Sequence, residues 1–375
     1  MKKIGLVSYH REANYGTMLQ AYALAEAIQK HGYKCEYIDY YESLKKPALV
    51  LIIRKCVSTI YHLFRLPPSG EYGFFDTYEF RGIINAFKEF HKKYIPVSPL
   101  KYYYNTLDEI NNKYDYFIVG SDQTWSRSMN DTPYAINFLP FVKDVNKKRS
   151  YAPSIGTIHL EEDYKKFLIH HLKSFSYLSC RERPNCDFLS IAIGKEIHFV
   201  VDPTLLLCRE DWNTISTPPN INIKYILAYI LGTKQCVSEF AERLGKEKGL
   251  PVYYIITRPE YLNKENVLNN VGPSEFIGLI RNAEYIVTDS FHGTLFSINY
   301  GKNFYSFNKR NTNEGIDNDR ILVFLNELNL NDRFRIDDDY RLSPDIDYYK
   351  HEKVLKELRE SSTKYLLSLL RNEHQ

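Results

Sequence analysis

The 375-residue chain has little that would place it among nucleic-acid-binding, disulfide-rich or dinucleotide-binding proteins. Its 49 Lys and Arg residues nearly balance 46 Asp and Glu, and no basic stripe is interleaved with aromatics, so no nucleic-acid partner is expected. The six cysteines include no C-x-x-C pair, which favours reduced thiols over a zinc site or a disulfide scaffold. No G-x-G-x-x-G fingerprint follows a predicted strand, so a dinucleotide site is unsupported.

A signal peptide and a metal-binding cluster are also missing from the sequence. Met1 to Lys3 leads directly into a predicted strand, residues 4–9, without an apolar signal core, so we expect a cytoplasmic protein. No carboxylate-rich or His-rich cluster suggests a catalytic metal, and we expect neither a metal nor a cofactor.

Alternating strands and helices fill most of the chain. With 44% hydrophobic residues, a chain of this length predicts two α/β domains, each a Rossmann-like parallel sheet with helices. The expected units are an N-terminal domain (1–215, with an insertion at 43–70), a C-terminal domain (222–350) and a last helix (351–375) folding back across both.

The stretch 283–307 predicts a strand, a turn, a helix over 294–300, a turn and a second strand. Small or polar residues follow the first strand: Asp289, Ser290, His292, Gly293 and Thr294. Ligands collect outside the carboxyl ends of parallel strands, and the amides of 293–295 would suit a phosphate or carboxylate that approaches closely at Gly293. Alternatively, Asp289 or Ser290 only caps the helix and His292 is a polar turn residue.

Other predicted strands also end in small, polar or basic residues. In the first domain these are Asn14, Gly16, Thr17, Ser121, Asp122, Arg181 and Arg183, and in the second Lys234 and Arg258, with Arg310 in the polar loop 308–320. Such positions are typical of ligand contacts. The alternatives are turn geometry for Asn14 and Gly16, and solvated charges around Glu182 for the two arginines.

The insertion has an apolar run, 48–53, that is divided from the next apolar residues by Arg54 and Lys55. It is too interrupted to span a bilayer. As a helix, residues 43–66 would either lie at an anionic membrane surface or pack on their own domain.

Six motifs in order carry a family resemblance: NYGTMLQAYAL, VGSDQTW, SYAPSIGT, SCRE, VVDPTLLL and TDSFHGTLFS. Over essentially the whole chain, this succession resembles the polysaccharide pyruvyl transferases. The resemblance implies a two-domain fold like that of the GT-B glycosyltransferases, with the first domain on the acceptor side and the second on the donor side. It also implies phosphoenolpyruvate as donor substrate, and a pyruvate ketal formed on a galactose-type sugar of a capsule or exopolysaccharide, or of its polyprenyl-diphosphate-linked precursor. A lipid-linked acceptor would favour a peripheral location at the inner face of the membrane.

The same resemblance implies site residues. The family triplet Arg-Leu-His stands here as Ser290-Phe291-His292, so the catalytic histidine carries over and the donor-binding arginine does not. Arg181 then becomes the main donor ligand, and the cations that would replace the missing arginine are Lys234, Arg258, Arg310 or Arg320. Two alternatives stay open: a GT-B-like glycosyltransferase that uses a nucleotide sugar, and a noncatalytic glycan-binding relative.

Overall fold

The computed structural model describes residues 2–41, 78–127, 135–308, 310–312, 315–317, 319–336 and 339–371. The segment 43–66 lies outside these residues, so its predicted membrane association stays a prediction. Within the described ranges, no helix combines the length and the apolar character needed to cross a bilayer.

The first half of the chain forms a parallel sheet. Its strands are β1 (Lys3–Val7), β2 (Lys34–Tyr41), β3 (Val97–Tyr103), β4 (Tyr116–Val119) and β5 (Lys148–Ser150), in the order β3-β2-β1-β4-β5. Two short strands, β6 (Ser179–Cys180) and β7 (His198–Phe199), pair in parallel with each other. They continue the sheet beyond β5, because the Ser150 amide donates to the Tyr177 carbonyl at 3.1 Å.

The sequence pattern does not predict strand β3. Pro99 and Lys101 interrupt any regular alternation of apolar residues in it. The structure places β3 at the edge of the sheet, paired only with β2 among the described strands. A proline is tolerated there because an edge strand leaves part of its backbone unpaired.

The second half forms another parallel sheet. Its strands are β8 (Ile226–Tyr229), β9 (Val252–Ile255), β10 (Val267–Leu268), β11 (Tyr285–Thr288), β12 (Asn303–Phe307) and β15 (Phe334–Arg335), in the order β10-β9-β8-β11-β12-β15. Strands β13 (Arg310–Thr312) and β14 (Gly315–Asp317) form a separate antiparallel pair. The predicted α/β class with two Rossmann-like domains is confirmed.

Helices cover both sheets. They are α1 (Tyr15–Lys30), α2 (Tyr78–Tyr94), α3 (Glu162–Leu172), α4 (Arg183–Ile193), α5 (Pro203–Leu206), α6 (Arg209–Asn213), α7 (Gln235–Lys248), α8 (Pro273–Asn282), α9 (Phe291–Asn299), α10 (Asp319–Glu327) and α11 (Tyr349–Arg371). Short 3₁₀ turns cover Tyr104–Ile110, Ile136–Phe138, Val145–Lys147, Pro259–Asn263 and Asn331–Arg333. Helix α1 stops just before Gly32, whose positive φ of 82° is easily adopted by glycine.

Aromatic residues hold the two domains together. Tyr15 at the start of α1 stacks on Phe276 of α8 with 4.5 Å between ring centroids, and its hydroxyl donates to the Val271 carbonyl at 2.8 Å. Trp212 packs edge-on against Phe296 of α9 at 4.9 Å. These rings belong to one hydrophobic cluster that contains residues of both sheets, so burial of apolar surface stabilises the domain contact.

Helix α11 contacts both domains. Its Tyr365 hydroxyl donates to the Ser150 carbonyl of the first domain at 3.0 Å. Arg359 donates to the Leu205 carbonyl at 2.7 Å and to Asn299 Oδ1 of the second domain at 2.8 Å. One side chain of α11 therefore ties α5 to α9.

Candidate active site

Asp202 lies at the centre of a buried polar cluster where strands of the first sheet end, and it is 2% exposed. Its Oδ2 accepts hydrogen bonds from Ser121 Oγ at 2.8 Å and from Arg181 Nη1 at 2.7 Å. Its Oδ1 accepts from the Thr204 amide at 3.0 Å and the Thr204 hydroxyl at 2.8 Å. The carboxylate therefore connects the residues that follow β4, β6 and β7.

Arg181 is buried in this cluster, with a side chain only 1% exposed. Besides Asp202, its Nε lies 3.4 Å from the carboxylate of Glu182, which is also buried, and its guanidinium carbon lies 4.3 Å from the centroid of the Phe291 ring. Among the described residues, Nη2 has no hydrogen-bond partner. The alternative of solvated charges around Glu182 is therefore wrong for Arg181.

Arg183, by contrast, points to the other domain. Its Nε and Nη2 each donate to the Glu327 carboxylate of α10 at 2.7 Å. This bidentate ion pair joins α4 to α10 on the outside of the cluster.

His292 enters the cluster from the second domain, on the first turn of α9. Ser290 is the N-cap, and its Oγ accepts from the Gly293 amide at 3.3 Å. The predicted helix start at Thr294 is wrong, because this cap begins the helix at Phe291 and the Thr294 amide already bonds to the Ser290 carbonyl at 3.0 Å. The amides left without an acceptor inside the helix are thus those of Phe291 and His292.

The imidazole of His292 fits against the first domain. Its Nε2 lies 3.5 Å from Asp202 Oδ2 without a formed hydrogen bond in the described part of the chain. A Cβ added to Gly16, the second residue of α1, would lie 2.0 Å from His292 Nδ1. Gly16 therefore provides the space that the ring occupies, and the two domains meet at this contact.

The other predicted residues of the first domain bind one another. Asn14 Oδ1 accepts from the Thr17 amide at 3.2 Å and caps α1. The Thr17 hydroxyl donates to Asp122 Oδ2 at 2.6 Å. Asp122 has a φ of 72°, a conformation that costs a non-glycine residue energy and is concentrated at functional sites. These residues form the wall of the site next to Gly16.

Gly293 and Thr294 serve packing in this structure. A Cβ at Gly293 would lie 2.6 Å from Thr288 Oγ1 and 3.0 Å from the Tyr229 ring. The Thr294 hydroxyl is buried and lies 2.7 Å from Ser306 Oγ. The idea that the missing side chain of Gly293 admits an anion is therefore wrong, since that direction is filled by the sheet.

The backbones of three other predicted cations belong to the second domain. Arg258 donates from Nη1 to the Leu231 carbonyl at 3.2 Å, and Lys234 is the residue before α7. The backbone of Arg310 belongs to β13, and its side chain lies outside what the structure describes.

A fourth cation, Arg320 of α10, does lie close. It is 8% exposed, and its guanidinium carbon is 5.7 Å from the Phe291 centroid. With the Gln123 amide oriented to accept, Arg320 Nη2 and Nη1 donate to its oxygen at 2.9 and 3.0 Å. Phe291, the neighbour of His292, therefore contacts two guanidinium groups, one from each domain.

The charges in the cluster compensate one another. Burial alone would raise the pKa of Asp202, but the adjacent His292 and Arg181 hold that pKa well below its usual range. Burial alone would lower the pKa of Arg181, yet Asp202, Glu182 and Asp122 raise it. A buried imidazole beside an ionised carboxylate and an incompletely bonded guanidinium is able to bind an oxyanion and to transfer a proton.

Sequence reasoning missed Asp202, Gln123 and Phe291 as members of the site. The available signal for Asp202 was its position just after a strand and before Pro203, in the motif VVDPTLLL. Among the described residues, no three His, Cys, Asp or Glu side chains are arranged to hold a metal ion.

Comparisons with known proteins agree with this architecture. The chain is similar to the UDP-GlcNAc 2-epimerase of Methanocaldococcus jannaschii, at 12% identity and a TM-score of 0.51, over 99% of this chain and 100% of that chain. It is also similar to the UDP-GlcNAc 2-epimerase of Neisseria meningitidis bound to UDP-GlcNAc, at 10% identity and a TM-score of 0.49, over 100% of both chains. At such identities the likeness concerns the fold alone, and the predicted GT-B type of fold is confirmed. No curated protein matches the chain.

One family model matches residues 14–310 and carries the description polysaccharide pyruvyl transferase. This range includes the loops that meet at Asp202 and the first turn of α9. Because the match covers most of the chain, the protein belongs to the polysaccharide pyruvyl transferase family.

Proposed function

We propose that this transferase of polysaccharide biosynthesis uses phosphoenolpyruvate to form a pyruvate ketal on a galactose-type sugar of a glycan or of its polyprenyl-diphosphate-linked precursor. The observation that carries the proposal is the meeting of His292 and Arg181 at Asp202. Arg181 has a buried nitrogen, Nη2, without a hydrogen-bond partner in the described residues. Buried polar atoms are normally paired, so unpaired ones mark the place where a ligand would bind.

The reaction converts the methylene carbon of the donor into a methyl group. Two sugar hydroxyls add to C2, the bond from C2 to the phosphate oxygen breaks, and phosphate leaves. The two hydroxyls lose two protons in total. One proton is added to the methylene carbon, and the other is taken up by the departing phosphate. No oxidant, reductant or cofactor is needed.

His292 is the candidate for the proton transfers. An imidazole gives or accepts a proton near neutral pH, and this ring lies between the domains that are proposed to bind the acceptor and the donor. In the first step it protonates the methylene carbon, and afterwards it accepts a proton from an attacking hydroxyl.

The donor's negative charges need cations that Ser290 does not supply, because its short side chain caps α9. Arg181 provides Nη2, and Arg320 is the second cation, since both guanidinium groups pack on Phe291. The amides of Phe291 and His292, which have no acceptor within α9, add partial positive charge at its start.

Incubation of the purified protein with phosphoenolpyruvate and a galactoside tests the proposal, with phosphate release and the acceptor's mass as readouts. We expect stoichiometric phosphate and an acceptor that has gained a pyruvate ketal. Transfer of a sugar from a nucleotide sugar in its place would indicate a glycosyltransferase. Binding of the glycan without release of phosphate would indicate a noncatalytic relative.

A further inference from the structure

We propose that Asp202 is a positioning residue that fixes the orientation and protonation of His292, an inference that rests on the proposed role of His292 in pyruvyl transfer. Asp202 belongs to the first domain and His292 to the second. The proposal therefore means that the imidazole is prepared for proton transfer only when the two domains are in contact.

The geometry assigns different tasks to the two ring nitrogens. Nε2 faces Asp202 Oδ2 at 3.5 Å, while Nδ1 lies over the Cα of Gly16. A proton on Nε2 would be attracted to the carboxylate, which leaves Nδ1 as the nitrogen that exchanges a proton with the substrate. The distance is at the ion-pair limit, and catalytic contacts of this kind often shorten only when substrate binds.

Asp202 is itself held firmly. Four hydrogen bonds from Ser121, Arg181 and Thr204 fix both oxygens, and the side chain is 0% exposed. Because none of these donors comes from the second domain, the carboxylate keeps its orientation whether or not His292 is present. Preorganised groups of this kind cost no rearrangement at the moment of reaction.

The surrounding charges favour an ionised Asp202. The charged groups at these ends of the two sheets are Asp122, Arg181, Glu182, Asp289 and Arg320. Asp289 is engaged by the Leu231 and Gly232 amides at 2.6 Å each, and Asp122 accepts from Thr17. Among the described residues, Asp202 is the carboxylate within ion-pair distance of the His292 ring, with 3.5 Å between Oδ2 and Nε2.

A purely structural role is the competing explanation, because Asp202 also caps the single turn of α5. Asp202→Asn keeps an oxygen for the Thr204 amide but removes the charge. Thr204→Val is the matched control, since it deletes one hydrogen bond to the same carboxylate and leaves its charge intact.

Nitrogen NMR of ¹⁵N-histidine-labelled full-length protein tests the proposal without substrate, with His292→Ala to assign the signal among eleven histidines. We expect the neutral wild-type ring to carry its proton on Nε2. In Asp202→Asn the ring should lose its second proton at a pH lower by about one to three units, and Thr204→Val should leave this pH unchanged. A wild-type proton on Nδ1, or an unchanged pH in a folded Asp202→Asn variant, would overturn the proposal.

Steady-state kinetics then connect the ring to turnover. Asp202→Asn should lower kcat by roughly 10- to 100-fold and move the limb of the pH–rate profile that depends on His292 to lower pH. An unmoved limb would contradict the positioning role. Because the NMR titration needs no donor, a wild-type protein without pyruvyl transfer would refute the proposed function separately.

Discussion

Two helix starts face each other in this molecule, and they are built alike. Helix α1 begins with a polar cap, an aromatic residue and Gly16, and α9 begins with a polar cap, an aromatic residue and His292. At the second position one helix provides an empty space and the other provides the imidazole that fills it. The comparison indicates that the first domain shapes and charges the site, while the second supplies the imidazole that we propose as the proton-transfer group.

The largest effect should come from removing the imidazole itself. We expect His292→Ala to lower kcat by about 10²- to 10⁴-fold, the usual loss for general acid–base catalysis, with thermal unfolding close to wild type. Phosphate release measured with matched protein concentrations checks this. If the variant keeps most of its activity, His292 is not part of the mechanism, and the second domain does not supply the proton-transfer group.

Filling the space on the opposite helix should have the next largest effect. In Gly16→Ala the new methyl group would displace the ring, and a shift of about 1 Å is expected to cost about 10²-fold in rate. The double variant Gly16→Ala, His292→Ala lacks the clash. Denaturant unfolding of the four proteins forms a double-mutant cycle. If Gly16→Ala lowers the free energy of unfolding equally with His292 and with Ala at position 292, the contact with His292 is not the reason that glycine is required at position 16.

A substitution at Arg181 tests whether the first domain contributes to donor binding. Arg181→Lys keeps a positive charge beside Asp202 but lacks the second planar donor, so donor affinity should fall by roughly tenfold. Calorimetric titration with phosphoenolpyruvate measures this, and unchanged affinity would exclude Nη2 as a donor ligand. Arg181→Ala is the poorer test, because a buried carboxylate left without its partner is expected to cost about 3–5 kcal/mol of folding stability.

The smallest effects should come from the two caps. Asn14→Ala and Ser290→Ala each remove one hydrogen bond to a helix amide, at about 1 kcal/mol of stability. The kinetic effects should differ, because Ser290 precedes the turn that carries His292, whereas Asn14 precedes the turn that carries Gly16. Equal kcat losses in the two variants would show that the two helix starts contribute in the same way.

Sequence patterns were sufficient for the fold class and for the edge of the sheets where the site lies. Parallel strands bring their carboxyl ends together, so the sequence predicts Ser121 and Arg181 at one edge of the first sheet and His292 at the corresponding edge of the second. The sequence pattern does not predict which side chains are buried. In the sequence Arg181 has the position of a solvent-exposed ligand-binding residue, but in the structure it is buried together with Asp202 and Glu182.

Other features depended on contacts that a sequence does not display. The start of α9 was predicted too late, because Ser290 acts as the cap and Phe291 becomes part of the first turn. Gly16 was considered for turn geometry or ligand contact, whereas its small size is required by a residue 276 positions later in the chain. In the sequence, Asp202 stands out only as part of the motif VVDPTLLL.

The central claim is that the His292 imidazole protonates the methylene carbon of phosphoenolpyruvate during ketal formation. Mass spectrometry and proton NMR of the ketal formed in deuterated water test this most directly. A proton delivered by an exchangeable imidazole predicts one solvent deuterium in the ketal methyl group, and the His292→Ala variant should form no labelled ketal above background. A methyl group without deuterium, or labelled ketal formed at the wild-type rate by His292→Ala, would contradict the account.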